Sequence, residues 1–511
     1  MASTTPTQLA PDAEHTVKTS TFAVALFGAP GKRGPKGTIA WVVFLILTAG
    51  SLAALFASPT KPLAGVAVIA LMLVMLFFKI PVAVALAVPS LIGVYAVSGI
   101  PATVNLLSSA PYSAVSKWAM AVVPMFIFMG MALGESGITT KIYQFTDKWF
   151  GWLPGGAGIG TTAAGIGLSS VSGSTLGMTY TLGRAGIPEM LRAGYHRRIA
   201  LGVVIVAGLP GMLIPPSVLL VVYAGIAEVP VGPQLLAGTL PGILLGVTFA
   251  LFLLCLSLMK PAWVGRDKSQ PRPQASTMRE RLLALRDIWG LPVIVFVLFG
   301  GMFSGLFTAT DAGAAAAFAT LLLTLWLRRG NKPWAAVARA AVSTVSATGV
   351  IFFILIGAEM LTRLLAVTGL AQLMTDSITG LGLSRVAFLV ILVVLYLFMG
   401  MFFDTFSMML LTVPILLPVL AELDVNPLWL GVFVVLLAEI GQLTPPLGVL
   451  SFVLHGLAQD PKVNLGQKIT LIDVFVAVLY FLPIVLLFVI ALIAFPELAT
   501  WLPDLAQGGM P

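Results

Sequence analysis

Two short stretches, "SSVSGST" at 169–175 and "GMFFDTFSM" at 400–408, place hydroxyls, two glycines and one carboxylate inside otherwise apolar sequence. Oxygen donors gathered in this way suit a small hard cation. Ser169, Ser170, Ser172 and Ser174 offer hydroxyls, and Gly173 allows a tight chain reversal. Asp404 adds a carboxylate, with Thr405 and Ser407 beside it. A carboxylate at membrane depth costs about 2.5–3.5 kcal/mol on insertion scales and needs a partner. Bound Na+ would supply one; so would backbone N–H groups, if Asp404 capped a helix. The serines have a plainer reading as well, because small hydroxyl residues pack helices together in membranes.

A second kind of signal is the doubled proline. "GMLIPPS" (211–217) interrupts a charge-free run over 199–226, and "GQLTPPLG" (441–448) interrupts a second apolar run, over 428–456. Proline has no backbone N–H and clashes with the preceding turn, so each pair breaks a helix long enough to span a bilayer. A break frees carbonyls at one half-helix end for a cation and N–H groups at the other for an anion. Pro215, Thr444 and Pro445 are therefore expected on the cation side, and Ser172, Pro216, Ser217, Asp404 and Pro446 on the substrate side. Arg363 is a candidate anion contact, although it can snorkel or pair with Glu359 one helical turn away. Glu439 is expected to be buried and to bond the unwound backbone, and Asp311 to cap a helix. Tyr195, His196 and Arg197 read as surface residues of a connector.

These residues must be held by membrane helices. The 511-residue chain is 59% hydrophobic and 9% charged, with a mean hydropathy of +1.03; soluble domains carry about 25% charged residues. Continuous apolar runs exclude an outer-membrane barrel, whose strands alternate. A lone Cys255 excludes an intrachain disulfide, and His15, His196 and His455 are too scattered for a transition-metal site. No phosphate-cradling Gly-Lys-Ser/Thr loop is present, and no organic cofactor is implied. The net charge of +8 reads as cytoplasmic loop bias rather than nucleic-acid binding.

The expected fold is an all-α polytopic membrane protein with about eleven crossings and two re-entrant hairpins, near 156–182 and 386–420. Basic clusters at 184–198, 260–286 and 328–339 set the N-terminus in the cytoplasm and the C-terminus outside. The chain divides into a disordered tail (1–37), an extra N-terminal helix (38–61), a first repeat (62–260), a basic loop (261–287), a second repeat (288–496) and a periplasmic tail (497–511). Broken helices are expected at 199–226 and 428–456.

The repeats follow from a constant offset of 230 residues, which carries Pro188, Gly211, Pro215 and Pro216 onto Pro418, Gly441, Pro445 and Pro446. The connector after the first hairpin is basic, while 421–427 carries Glu422 and Asp424 and no base. Five crossings per repeat is an odd number, so the two copies are expected to be inverted. Secondary transporters are built in this way, with sites near the midplane.

The same residues carry a family resemblance. "SSVSGSTLGMTYTLGRAGIPEMLRAGYHRRIALG", "GMLIPPSVLLVVYA", "VPMFIFMGMALGESGI", "GLFTATDAGAAAAF", "FFDTFSMMLLTVPILLPV" and "AEIGQLTPPLG" together resemble the large membrane subunit of tripartite ATP-independent periplasmic (TRAP) transporters, over about 62–500. The resemblance implies an elevator-type importer in the bacterial inner membrane, coupled to Na+ and carrying an organic acid. It also implies a small four-helix membrane subunit and a periplasmic substrate-binding protein as partners, with membrane lipids around them. The helix at 38–57 exceeds the usual family core. A stand-alone carboxylate symporter is the alternative. An intramembrane hydrolase fits poorly, because no Ser–Lys or Ser–His pair stands out.

Overall fold

The structure, a computed structural model, describes residues 35–265, 276–304 and 306–506. The expected tail at 1–37 therefore lies almost entirely outside the described residues, as does part of the basic loop. Among the described residues the fold is all-helical, and the one extended pairing is an isolated antiparallel bridge between Tyr195 and Val264.

The chain opens with α1 (Pro35–Ala57), α2 (Lys61–Phe77), α3 (Val82–Val115) and α4 (Val122–Ser136). Amphipathic α5 (Ile138–Phe150) leads to a hairpin of α6 (Gly156–Ser172) and α7 (Thr175–Arg192). A broken helix follows as α8 (Arg197–Val206), α9 (Leu209–Leu213) and α10 (Val218–Ala227), and then α11 (Val231–Met259). The second half begins with α12 (Met278–Asp287), α13 (Gly290–Phe303), α14 (Ala309–Leu327) and α15 (Pro333–Thr368). Amphipathic α16 (Leu370–Gly380) precedes the second hairpin, α17 (Arg385–Gly400) and α18 (Thr405–Glu422). The second broken helix is α19 (Pro427–Leu443) with α20 (Val449–Leu457), before α21 (Pro461–Asn464), α22 (Leu471–Ala494) and α23 (Glu497–Ala506).

Two packed groups emerge. In the outer one, α3 lies along α15, and α4 sits against α14 and α15. Small residues permit the close approach: a Cβ on Gly357 would stand 2.8 Å from Leu86 Cβ, and one on Gly93 would stand 2.7 Å from Leu364 Cδ1. In the inner one, α19 is buried at every position from Trp429 to Leu443, among α9, α10, α11, α17 and α18. By length and composition, seven described helices can cross a bilayer, or ten if each bent pair is one span. Lys61–Phe77, expected as a crossing, is a shorter apolar helix.

Several boundaries differ from the sequence reading. The first hairpin's second arm continues to Arg192 rather than ending near 182, since "GRAGIPEMLR" keeps an apolar stripe buried while its charges face out. The segment after 98 is helical: α3 breaks at Gly99 (φ 75°, ψ −173°) and resumes through Pro101 to Val115, proline being tolerated in a first turn. The basic loop contains α12, started by a Thr277–Glu280 capping box. The expected C-terminal tail contains α23, packed along α11. Tyr195 is buried, not superficial, and its hydroxyl accepts from Gly158 N at 3.0 Å. Asp311 sits at the third position of its helix, in a capping box whose N-cap is Thr308.

Candidate functional site

The first hairpin turns at Gly173, which adopts φ 60° and donates its N–H to Ser169 O at 2.8 Å. Only glycine takes this backbone conformation without penalty. Ser174 caps α7 by accepting from Gly177 N at 3.2 Å, and the Ser172 hydroxyl closes the turn onto Ser174 O at 3.3 Å. Ser170 bonds back to Gly167 O at 3.2 Å. Buried Ser169 donates to Gly208 O at 2.9 Å, fastening the first arm to the broken helix where α8 meets α9.

The second hairpin turns through Asp404, which caps α18 by accepting from Ser407 N at 3.2 Å and from the Ser407 hydroxyl. This corrects one expectation. Asp404 is exposed at the tip rather than buried, so the carboxylate that needs buried partners is a different one.

That carboxylate is Glu439, 2% exposed, in α19 one turn before the second break. Its Oε2 accepts from Thr175 Oγ1 at 2.5 Å, and its Oε1 accepts from Thr405 Oγ1 at 2.8 Å. Gln442 Nε2 in turn donates to Thr405 Oγ1. Glu439 therefore bonds the hairpin tips instead of the unwound backbone that the sequence reading expects. Thr175 and Thr405 are each the first residue of a second arm, and they are related by the 230-residue offset. Gln442 escaped the sequence reading; its signal is a polar residue within an apolar run, three positions before the proline pair.

Both breaks lie against these tips. In the first, Ser217 caps α10 by accepting from Leu220 N and donates to Met212 O at 2.5 Å, so one hydroxyl closes both half-helices. A Cβ on tip residue Gly173 would stand 3.1 Å from Val218, the first residue of α10. In the second, Thr444 donates to Ile440 O at 2.8 Å, and Ser451 to Leu443 O at 3.0 Å. Pro215–Pro216 and Pro445–Pro446 are both cis. Each hairpin also crosses its own broken helix at a glycine. A Cβ on Gly211 would stand 3.0 Å from Ser170 N, and one on Gly441 would stand 2.7 Å from Gly400 Cα and 2.8 Å from Tyr396 O.

Arg363 stands apart, on α15. Its guanidinium donates to Glu359 at 3.0 Å, Ser109 at 2.6 Å and Ser113 at 2.9 Å, joining α15 to the resumed part of α3. Beside this cluster a cavity of about 310 Å³ separates the outer group from α10 and α18, with Ala114, Glu359, Thr362 and Leu417 in its wall. Lys117 and Glu228 bridge its edge at 2.6 Å.

Residues 69–498 match the family described as the DctM component of the tripartite ATP-independent periplasmic transporter. The C4-dicarboxylate TRAP transporter large permease protein DctM of Pseudomonas aeruginosa is 30% identical over 79% of this chain and 90% of its own length. The protein of the same name from Vibrio cholerae is 29% identical over 76% and 87%, and that organism's sialic acid TRAP transporter large permease protein SiaM is 29% identical over 79% and 91%. Two solved transporters share the fold at low identity. The Alcanivorax borkumensis YdaH transporter has a TM-score of 0.55 at 13% identity, covering 80% of this chain and 90% of its own. Neisseria gonorrhoeae MtrF has 0.58 at 12% identity, covering 89% and 97%. The chain belongs to the DctM family and is a multi-pass large permease subunit of the tripartite ATP-independent periplasmic transporters.

Proposed function

We propose that this permease couples entry of Na+ to import of a small organic acid, usually a carboxylate, across the bacterial inner membrane. The substrate arrives on a periplasmic binding protein, and the chain works beside a small four-helix subunit. Relatives are named for C4-dicarboxylates, 2,3-diketo-L-gulonate, sialic acid and isethionate; all are organic anions.

One observation carries the reading: two hairpin tips meet at Glu439, and each tip lies against a helix break, at Val218 for the first and through Gln442 for the second. Non-helical backbone at membrane depth persists only where it is buried in protein or lines a cavity, and the chain builds it twice in one place. The cation is cargo, held by oxygens of Ser169, Ser170, Ser172, Ser174, Asp404, Thr405, Ser407 and Thr444 and by the backbone at Gly173, Pro215 and Pro445. The carboxylate of the substrate meets Ser172, Ser217 and the N–H-rich starts of the second half-helices after Pro216 and Pro446.

Inverted repeats account for the paired geometry. The offset of 230 relates Ser174 to Asp404, each an N-cap, and Ser170 and Gly211 to Gly400 and Gly441, each a crossing. Two of the basic connectors also meet through the Tyr195–Val264 bridge, and Arg197 and Arg198 of the first connector pair with Asp473 at the start of α22. This fits a single cytoplasmic face, with the N-terminus inside, the C-terminus periplasmic and eleven crossings. In the elevator reading the hairpins and broken helices move as one body past α3, α4, α14 and α15. The test is uptake into proteoliposomes holding both membrane subunits: substrate-loaded binding protein and an inward Na+ gradient should both be required. Uptake of free substrate by this chain alone would point to the stand-alone symporter.

A further inference from the structure

The two tips do not touch Glu439 independently. Thr175 and Thr405 each have one hydroxyl proton, and both protons are spent on the same carboxylate. Gln442 then fixes the remaining freedom of Thr405 by donating to its oxygen. Glu439 and Gln442 sit one turn apart on α19, the helix buried from Trp429 to Leu443 that ends at the second break. Nothing at the equivalent position of the first repeat plays this part, because Leu209 occupies it. One acidic side chain thus serves both halves of an otherwise paired site.

The geometry points to Glu439 as a positioning residue that yokes the hairpins: a tip that shifts with its bond intact moves the carboxylate that holds the other. A buried carboxylate that loses one donor keeps an unpaired oxygen, whose desolvation cost favours rearrangement of the side chain and so moves the acceptor of the other tip. The oxygen shells at the two tips are therefore set together, and loading one favours loading the other. This deepens the transport reading above and rests on it for its purpose, though not for its geometry.

The test reads one tip while the other is altered. In the full chain with Cys255→Ser, Ser172→Cys places a single thiol at the first tip, and its labelling rate by a maleimide is followed without Na+. Thr405→Val, at the second tip, should raise that rate by at least fivefold, the low end of ordinary coupling between sites. In the Glu439→Ala background the same substitution should change nothing, while Glu439→Gln, which can still bridge two hydroxyls, should keep part of the response. No response to Thr405→Val, or an equal response in Glu439→Ala and Glu439→Gln, overturns the yoke. Because Ser172 and Thr405 are themselves among the proposed Na+ ligands, the sodium reading is tested apart, by melting the unsubstituted chain in Na+ against K+. A labelling rate that answers Thr405→Val beside equal melting in the two salts keeps the yoke and removes the sodium reading.

Discussion

Thr175 and Thr405 lie 230 residues apart in the chain and donate to the two oxygens of a single carboxylate, Glu439, at 2.5 and 2.8 Å. The bonds join the tips of two hairpins inside an apolar protein, where an unpaired carboxylate oxygen has no water to turn to.

Thr175→Val keeps the shape of the side chain and deletes one of those bonds. Leaving a buried acceptor unsatisfied costs about 1–3 kcal/mol, so a loss of that order in denaturant unfolding is expected. Thr179, one turn further along α7, is the control. Its hydroxyl is buried with no hydrogen-bond partner among the described residues, so Thr179→Val should be neutral or slightly stabilising.

Gly441→Ala would place a Cβ 2.7 Å from Gly400 Cα. Backbone cannot give way there as a flexible side-chain end would, so the cost should reach about 1–3 kcal/mol or more. Gly349→Ala, in α15 with open space around it, should instead gain up to about 1 kcal/mol through helix propensity. Thermal melts of both variants against the parent check the contrast.

Arg363→Lys exchanges a planar fork holding three partners for a single ammonium that cannot span them. Because the guanidinium is one-third exposed, the expected loss is about 1 kcal/mol. Half-saturation for substrate should stay unchanged, since the group is occupied within the outer helices. A raised half-saturation with unchanged stability would return Arg363 to the substrate path.

His196, just before α8, has its pKa held below the usual histidine range by burial and by Arg198 and Arg197, against the pull of Asp473. Its Nδ1 accepts from Arg198 N at 3.3 Å, which a protonated ring cannot do. The unfolded chain therefore binds the extra proton first. Stability should hold above about pH 6.5, the unfolded value, and fall below it until the folded ring also protonates. His196→Asn keeps an N-cap acceptor and should flatten that part of the profile.

The parts of the site that repeat were legible in the sequence. Gly173 among serines announces a tight turn, and Pro-Pro inside an apolar run announces a break, each from neighbouring residues alone. The junction at Glu439 was not legible in the same way. Thr175 and Glu439 are 264 positions apart, and the 230-residue offset that exposed the other pairs leads from Glu439 to Leu209. The exposure of Asp404 was not legible either, because the apolar residues around it read as burial while its tip faces outward and it caps α18. The helices α5 and α16 escaped because they are short and amphipathic, with Lys141, Asp147 and Asp376 interrupting the apolar pattern. The part of α3 beyond Gly99 escaped because glycine and proline there mark a kink, which reads in sequence like an end.

The most direct test of the account is the melting temperature of the purified chain as Na+ replaces K+ at constant ionic strength. A site filled at 100 times its dissociation constant adds about 2.7 kcal/mol to the folded state. The account predicts a saturable rise with Na+ that Asp404→Asn abolishes or moves to much higher concentration. Equal melting in Na+ and K+ at every concentration would contradict it.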